Sequence, residues 1–189
     1  AGFGSNSTIA VCCGLVCEHV LVDDAERLRL VDVAACLSQA TGVAASLAAR
    51  FDFSAAPGPD LPRPEGGLCR IAAVLRAALI AGAGNELLER TVAYANERIQ
   101  FGKPIGRQQA LQQNLAVMAE DVVAARIAAS LGCTGGLAPS LAAAATAKSV
   151  ASAAAPRIAA TAHAVFGAIG ISEEHDLQLY TRRLHEWRL

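Results

Sequence analysis

Aromatic side chains are scarce: one Trp, two Tyr and five Phe make up 4% of the 189 residues. A surface that stacks on nucleobases needs more than that. With 16 basic against 17 acidic residues and no basic cluster, there is also no field to hold a polyanion. Nucleic acid is therefore excluded as an expected partner. No run of about 18 or more strongly apolar residues is evident, since the stretch 140–155 is mostly alanine and is interrupted by Lys148 and Pro156. No membrane span is expected. The opening residues lack the basic-then-apolar pattern of a secretory leader. The expectation is a cytoplasmic chain, in which the Asn6-Ser7-Thr8 sequon carries little meaning. Among six cysteines there is no Cys-x-x-Cys pair, and the four histidines have no zinc spacing, so no metal site is expected. The Val, Leu and Gly flanking Cys12, Cys13 and Cys17 make these thiols read as small buried hydrophobes in a reducing compartment.

What the chain has in abundance is alanine and other apolar residues, 53% hydrophobic in all, and its two halves differ. Residues 1–65 contain short β-leaning runs at 18–22, 28–33 and 49–53, while 34–49 reads as strand or helix equally well. The segment Pro57-Gly58-Pro59-Asp60-Leu61-Pro62-Arg63-Pro64 predicts an extended linker, because proline fixes φ and each residue before a proline avoids the helical region.

After Gly67 the pattern is helical. A first helix is predicted over 68–99, with Leu88, Val92, Ala95 and Ile99 as its apolar stripe. Gly82 and Gly84 weaken it by about 1 kcal/mol each but allow close approach of another helix. A turn follows at 100–106, then a second helix over 107–131 carrying Leu111, Leu115, Met118 and Val122. A third, nearly all alanine, is predicted over 140–166, kinked or divided at Pro156. A fourth, short and charged, runs from about Glu173 towards Trp187. The expected fold is mainly α, an antiparallel four-helix bundle (66–189) preceded by a small, incomplete β-rich segment (1–65). Because the third helix is apolar on most sides, it is expected to bury an alanine-rich face against a second chain.

The specific signal is the contiguous run Tyr94-Ala95-Asn96-Glu97-Arg98-Ile99-Gln100-Phe101-Gly102-Lys103-Pro104-Ile105, continued by Gln108-Gln109-Ala110-Leu111-Gln112. Taken alone, Arg98 reads as a solvated helix-terminal charge, paired with Glu97 or the helix dipole, and Phe101 as a core anchor. A second segment, Phe166-Gly167-Ala168-Ile169-Gly170-Ile171-Ser172-Glu173-Glu174-His175, places glycines where a turn between helices is expected. Together the two segments closely resemble the carboxy-terminal helical domain of the acyl-CoA dehydrogenase family. The resemblance covers about residues 68–189, and residues 1–65 are then a partial counterpart of that family's β-rich middle domain.

The resemblance implies FAD as cofactor, α,β-dehydrogenation of an acyl-CoA thioester, an electron-transfer flavoprotein as electron acceptor, and a homo- or hetero-oligomer (dimer or tetramer). In that family the matching positions reach the flavin of a neighbouring subunit. The implied contacts are Arg98, Gln100, Phe101, Ile105 and Gln108 around the turn, with Gly167 and Ala168 at the adenosine end. A guanidinium suits a pyrophosphate by charge and by its forked donors. The sequence departs from the family in several ways. No amino-terminal helical domain is found, nor the middle domain's aromatic-x-Thr/Ser and Gly-x-Lys segments. Ala164 stands where a glutamine is usual, and Ala168 where the second glycine is usual. The family's catalytic glutamate, counted onward from Gly170, falls just beyond Leu189. Glu86 and Glu89 lie on the helix that carries the base in other branches, without a pattern that fixes either. No catalytic residue is assigned. A non-catalytic partner that completes a neighbour's flavin site, or a helical assembly module, is the alternative.

Overall fold

A computed structural model describes residues 8–24, 26–41 and 47–189. It divides into two compact units, Ala1–Cys69 and Arg70–Leu189.

The first unit holds two small antiparallel sheets. β1 (Thr8–Val11) pairs with β5 (Ala49–Asp52), which also pairs with β4 (Ser38–Ala40). β2 (His19–Asp23), β3 (Leu28–Asp32) and β6 (Asp60–Leu61) form the other sheet, with Val20 opposite Val31. Alternation along the strands sends Val22, Val31, Ala49 and Phe51 inward, where Phe51 stacks on Phe53 at 5.5 Å. The proline-rich segment is extended as expected, yet it is not a free linker. Asp60 and Leu61 pair with β3, and the carbonyl of Pro59 accepts the N–H of Leu30. The helical option for 34–49 is not taken. A 3₁₀ turn at Val33–Ala35 is capped by Asp32, β4 follows, and 42–46 lie outside the described residues. Nor are the cysteines fully buried: Cys13, Cys69 and Cys133 are exposed and the other three half-buried, Cys36 against the edge of the sheet core.

The second unit is the helical bundle. α1 (Gly67–Glu97), α2 (Gln109–Cys133), α3 (Leu141–Phe166) and α4 (Leu177–Trp187) run alternately up and down. α3 forms the middle of the core, with Ala147, Ala151, Ala155, Ile158 and Ala162 fully buried. These alanines are used within the bundle, while Ala142, Ala145, Ala153, Ala160 and Ala164 of the same helix stay exposed. Large apolar side chains are left exposed on α2 (Val117, Val123, Ile127, Leu131) and α1 (Leu75, Leu79, Val92), with Leu141 on α3 and Leu179 on α4. Pro156 does not divide α3, which stays helical throughout. α4 starts at Leu177 rather than near Glu173, after the 3₁₀ turn Gly167–Ile171.

On α1 the buried stripe is Val74, Ala77, Ile80, Gly84, Leu87, Thr91 and Ala95. Of the stripe expected from apolarity, Ala95 is buried and Leu88 half-buried, while Val92 and Ile99 are exposed. A threonine is tolerated in the core because its hydroxyl donates to the carbonyl of Leu87 at 2.5 Å. Gly84 does mark a close approach, since a Cβ there would meet Ile158 at 3.2 Å. Gly82 faces open space instead. α1 and the Leu141–Ile171 segment are long and apolar enough to cross a membrane, contrary to the expectation on run length. The central helices of a bundle have the same composition, and α3 occupies that place here.

Candidate cofactor-contact edge

At the end of the bundle where α1 and α3 finish and α2 begins, α1 leads into a two-residue hairpin. β7 (Ile99–Gln100) pairs with β8 (Lys103–Pro104), followed by a 3₁₀ turn at Ile105–Arg107. The hairpin tip, Phe101-Gly102, has φ of 52° and 76°. Positive φ at both central residues is what a tight type I′ turn requires. Glycine adopts it freely. A phenylalanine there is strained by an amount on the order of 1 kcal/mol, and its ring is 92% exposed. So an apolar ring is held in an unfavourable backbone conformation and in water, which rules out the core-anchor reading.

Arg98, Lys103 and Arg107 are exposed around the same hairpin. Among the described residues the Arg98 guanidinium makes no hydrogen bond or ion pair, with Glu97 or any other side chain. Its main chain, by contrast, is fully used: its N–H donates to the carbonyl of Tyr94, and its carbonyl accepts the N–H of Ile105, both at 2.9 Å. Gln100 is exposed. Ile105 is only 9% exposed and packs with Ala95 and Val165, so it anchors the hairpin and offers little side-chain surface to a ligand. Gln108 is half-buried at the start of α2, donating its N–H to Ile105.

The second segment reaches the same end of the bundle. Gly167 closes α3 with φ 62° and ψ −135°, a conformation essentially confined to glycine, and its N–H returns to the carbonyl of His163. Gly167 and Ala168 are exposed. What ties the two segments together is aromatic. Tyr94 stacks on Phe166 with centroids 4.4 Å apart and planes at 22°, and Phe166 meets His175 at 4.8 Å. His175 in turn accepts the N–H of Leu177 through Nδ1, at the start of α4. Tyr94 and Phe166 belong to the quoted motifs, but nothing in a linear pattern announces that they touch.

Glu86 and Glu89 on α1, and Glu186 near the end of α4, are all engaged. Glu86 accepts from Arg90 Nε at 2.6 Å, Glu89 from Asn85 at 2.7 Å, and Glu186 from Arg183. The hydrogen bond from Arg90 to Glu86 raises the Arg90 pKa above its ordinary value, and that guanidinium also lies 5.0 Å from the Tyr180 ring centroid. Glu86 stands at the edge of an open, mostly apolar groove of ≈ 740 Å³ between α1 and α4, lined among others by Leu75, Leu79, Tyr180 and Trp187. Among the described residues no cluster of His, Cys, Asp and Glu suits a metal ion.

A sequence profile described as acyl-CoA dehydrogenase, C-terminal domain, matches residues 70–185, well over half of the chain. The chain belongs to the acyl-CoA dehydrogenase family. Two relatives in Mycobacterium tuberculosis are acyl-CoA dehydrogenase IpdE2, 41% identical over 122 residues (65% of this chain, 37% of the relative), and acyl-CoA dehydrogenase FadE34, 37% identical over 174 residues (89% and 22%). The chain thus spans little more than a third of the length of IpdE2. Among solved structures, the ChsE4–ChsE5 complex from the same organism superposes with a TM-score of 0.74 at 23% identity, covering 95% of this chain and 53% of that one. At that identity the likeness shows the fold, including its helical bundle.

Proposed function

We propose that this chain is part of an FAD-dependent acyl-CoA dehydrogenase that α,β-dehydrogenates an acyl-CoA thioester, and that it lends its hairpin edge to a flavin site shared with a neighbouring chain. The observation carrying this reading is the pairing of an uncommitted guanidinium, Arg98, with the strained, water-exposed ring of Phe101. The Phe101 conformation is unfavourable in an isolated chain, the Arg98 charge is free for a ligand, and together they suit a planar ring system bearing a pyrophosphate. Arg98 would hold phosphate oxygens through charge-assisted hydrogen bonds. Phe101 and Gln100 would exclude water from the cofactor's flank, while Gly167 and Ala168 let main chain approach it closely. The flavin, when bound, supplies the hydride acceptor. In this reading residues 1–65 are part of the family's β-rich middle domain, the assembly is a homo- or hetero-oligomer, and an electron-transfer flavoprotein takes the electrons.

A second reading, a non-catalytic subunit that completes a partner's flavin site, is favoured by the engagement of Glu86, Glu89 and Glu186. The existence of a solved two-protein complex with the same fold, ChsE4–ChsE5, is consistent with it. Flavin absorbance of the purified protein, alone and mixed with candidate partner chains, separates the readings. Occupancy that needs a partner, and falls roughly tenfold or more in Arg98→Ala through loss of a charge-assisted hydrogen bond, supports a shared site. Unchanged occupancy in Arg98→Ala removes the hairpin from it.

A further inference from the structure

We propose that Tyr94 is a positioning residue that locks the hairpin and the Gly167 turn into one rigid surface. The inference rests on the functional reading above for what that surface meets, but the coupling itself is a property of this chain.

Tyr94 is placed for the task from both sides. Along α1 its carbonyl accepts the N–H of Arg98 at 2.9 Å, so any shift of Tyr94 is passed to the root of the hairpin. Across the bundle its ring lies on Phe166, which immediately precedes Gly167. Tyr94 also packs on the small cluster of Ala95, Ile105 and Val165, again one residue from each segment's root. Phe166, 5% exposed, also meets the His175 ring, tilted at 53° with centroids 4.8 Å apart. Ile105 also anchors the hairpin, and Gly170 seats the second turn. The hairpin is two residues long on each side, and the Gly167 turn is exposed and rests on a glycine-only conformation. Stacked rings resist sliding and tilting in a way that aliphatic packing does not, because offset stacking has a preferred geometry. The positions of Arg98 and Gly167 are thereby coupled through two rings rather than through a long path of main chain.

A purely structural tyrosine would be replaceable by any apolar side chain of similar bulk. The test therefore compares Tyr94→Phe, which keeps the ring, with Tyr94→Leu, which keeps apolar volume and loses the stack. Amide ¹⁵N relaxation and chemical shifts of Gly102 and Gly167 are read in the full chain, alongside its unfolding midpoint. Tyr94→Phe should leave both amides as in the parent, and Tyr94→Leu should broaden or shift both together while the chain stays folded. If Tyr94→Leu leaves either amide unchanged, or moves only the hairpin, the coupling is overturned. Should Tyr94→Leu fail to fold, Phe166→Leu tests the same contact from the other ring, with the same two outcomes. Flavin retained by the protein as purified, in the oligomer it forms, is a separate measurement. A drop of about two- to tenfold in Tyr94→Leu, the scale of an aromatic stack, supports the positioning role, and parent-level retention overturns it. A parent protein and oligomer that hold no flavin sink the functional reading instead, while the amide data still decide the coupling.

Discussion

Lys148, near the start of α3, donates to the main-chain carbonyls of Trp187 at 2.9 Å and Arg188 at 2.8 Å, closing the carboxy-terminal end of α4. A third bond reaches Ser152 Oγ at 2.9 Å. The last carbonyls of a helix have no partners within it, and a cation there satisfies them and opposes the negative end of the dipole. Partial burial, with repulsion from Arg76 and Arg188, lowers the Lys148 pKa, so the ammonium is held at some cost. Lys148→Met should lower the unfolding free energy by about 1–2 kcal/mol, the range for hydrogen bonds to a charged group reduced for solvent exposure. Hydrogen exchange should localise the loss to the last turn of α4. Unchanged protection of Leu184 and Trp187 amides would show that the helix end does not depend on the lysine.

Strain at the hairpin tip gives a second expectation, in which stability and function part company. Phe101→Asn supplies the residue that a type I′ turn favours before glycine, and removes a 92% exposed ring. The isolated chain should gain about 0.5–1 kcal/mol. Flavin retention in the assembled protein should fall at the same time, a stability–activity trade-off. Chemical denaturation and flavin absorbance of one variant check both halves. A variant that loses stability would mean that Phe101 is held by contacts within the chain.

Much of the bundle was legible because long helices repeat a period, and because Gly102 with Pro104 punctuates the chain between two of them. The motif from Tyr94 to Ile105 was legible because its residues are contiguous. Which face of each helix is buried was harder. Alanine is small and apolar on every side, so the pattern gave Leu88, Val92, Ala95 and Ile99 as the stripe, of which the core took Ala95, together with Leu87 and Thr91. On α3, likewise, only some of the alanines face the core, and the pattern does not say which. Gly82 and Gly84 look alike in sequence, yet only Gly84 faces another helix closely. Contacts between distant residues, Tyr94 with Phe166 or Lys148 with Trp187, leave no local trace.

Asp24 links the sheet unit to pH. Its carboxylate accepts the main-chain N–H of Arg27 at 2.7 Å and of Glu26 at 3.2 Å, in the turn between β2 and β3. These bonds, Arg27 first, hold its pKa below the ordinary aspartate value. Because the folded pKa is the lower one, the unfolded chain takes up the proton first as pH falls. The contribution is therefore complete above the ordinary aspartate pKa and disappears as pH drops through the folded value. The stability difference between the parent and Asp24→Asn should be constant near neutrality and vanish in acid. A difference that grows on acidification would reverse the assignment.

The last expectation concerns proton abstraction. A base for the α-proton of a thioester must be a carboxylate held beside the substrate with an oxygen not committed to another donor. Glu86 lines the apolar groove, as Asp176 does, but Arg90 holds it at 2.6 Å and is itself fixed over the Tyr180 ring. Glu186 is bound by Arg183 on its own helix, and Glu89 lies exposed against Asn85. Each would have to give up a partner before acting. The 189-residue chain alone should then show no dehydrogenation of a panel of acyl-CoA thioesters with an artificial electron acceptor and added FAD. Arg90→Gln, which frees Glu86, should not create activity either if the groove is not the substrate site. Turnover by the parent chain that survives Glu186→Gln and is abolished by Glu86→Gln would make Glu86 the base, and would show that its pairing with Arg90 opens on substrate binding.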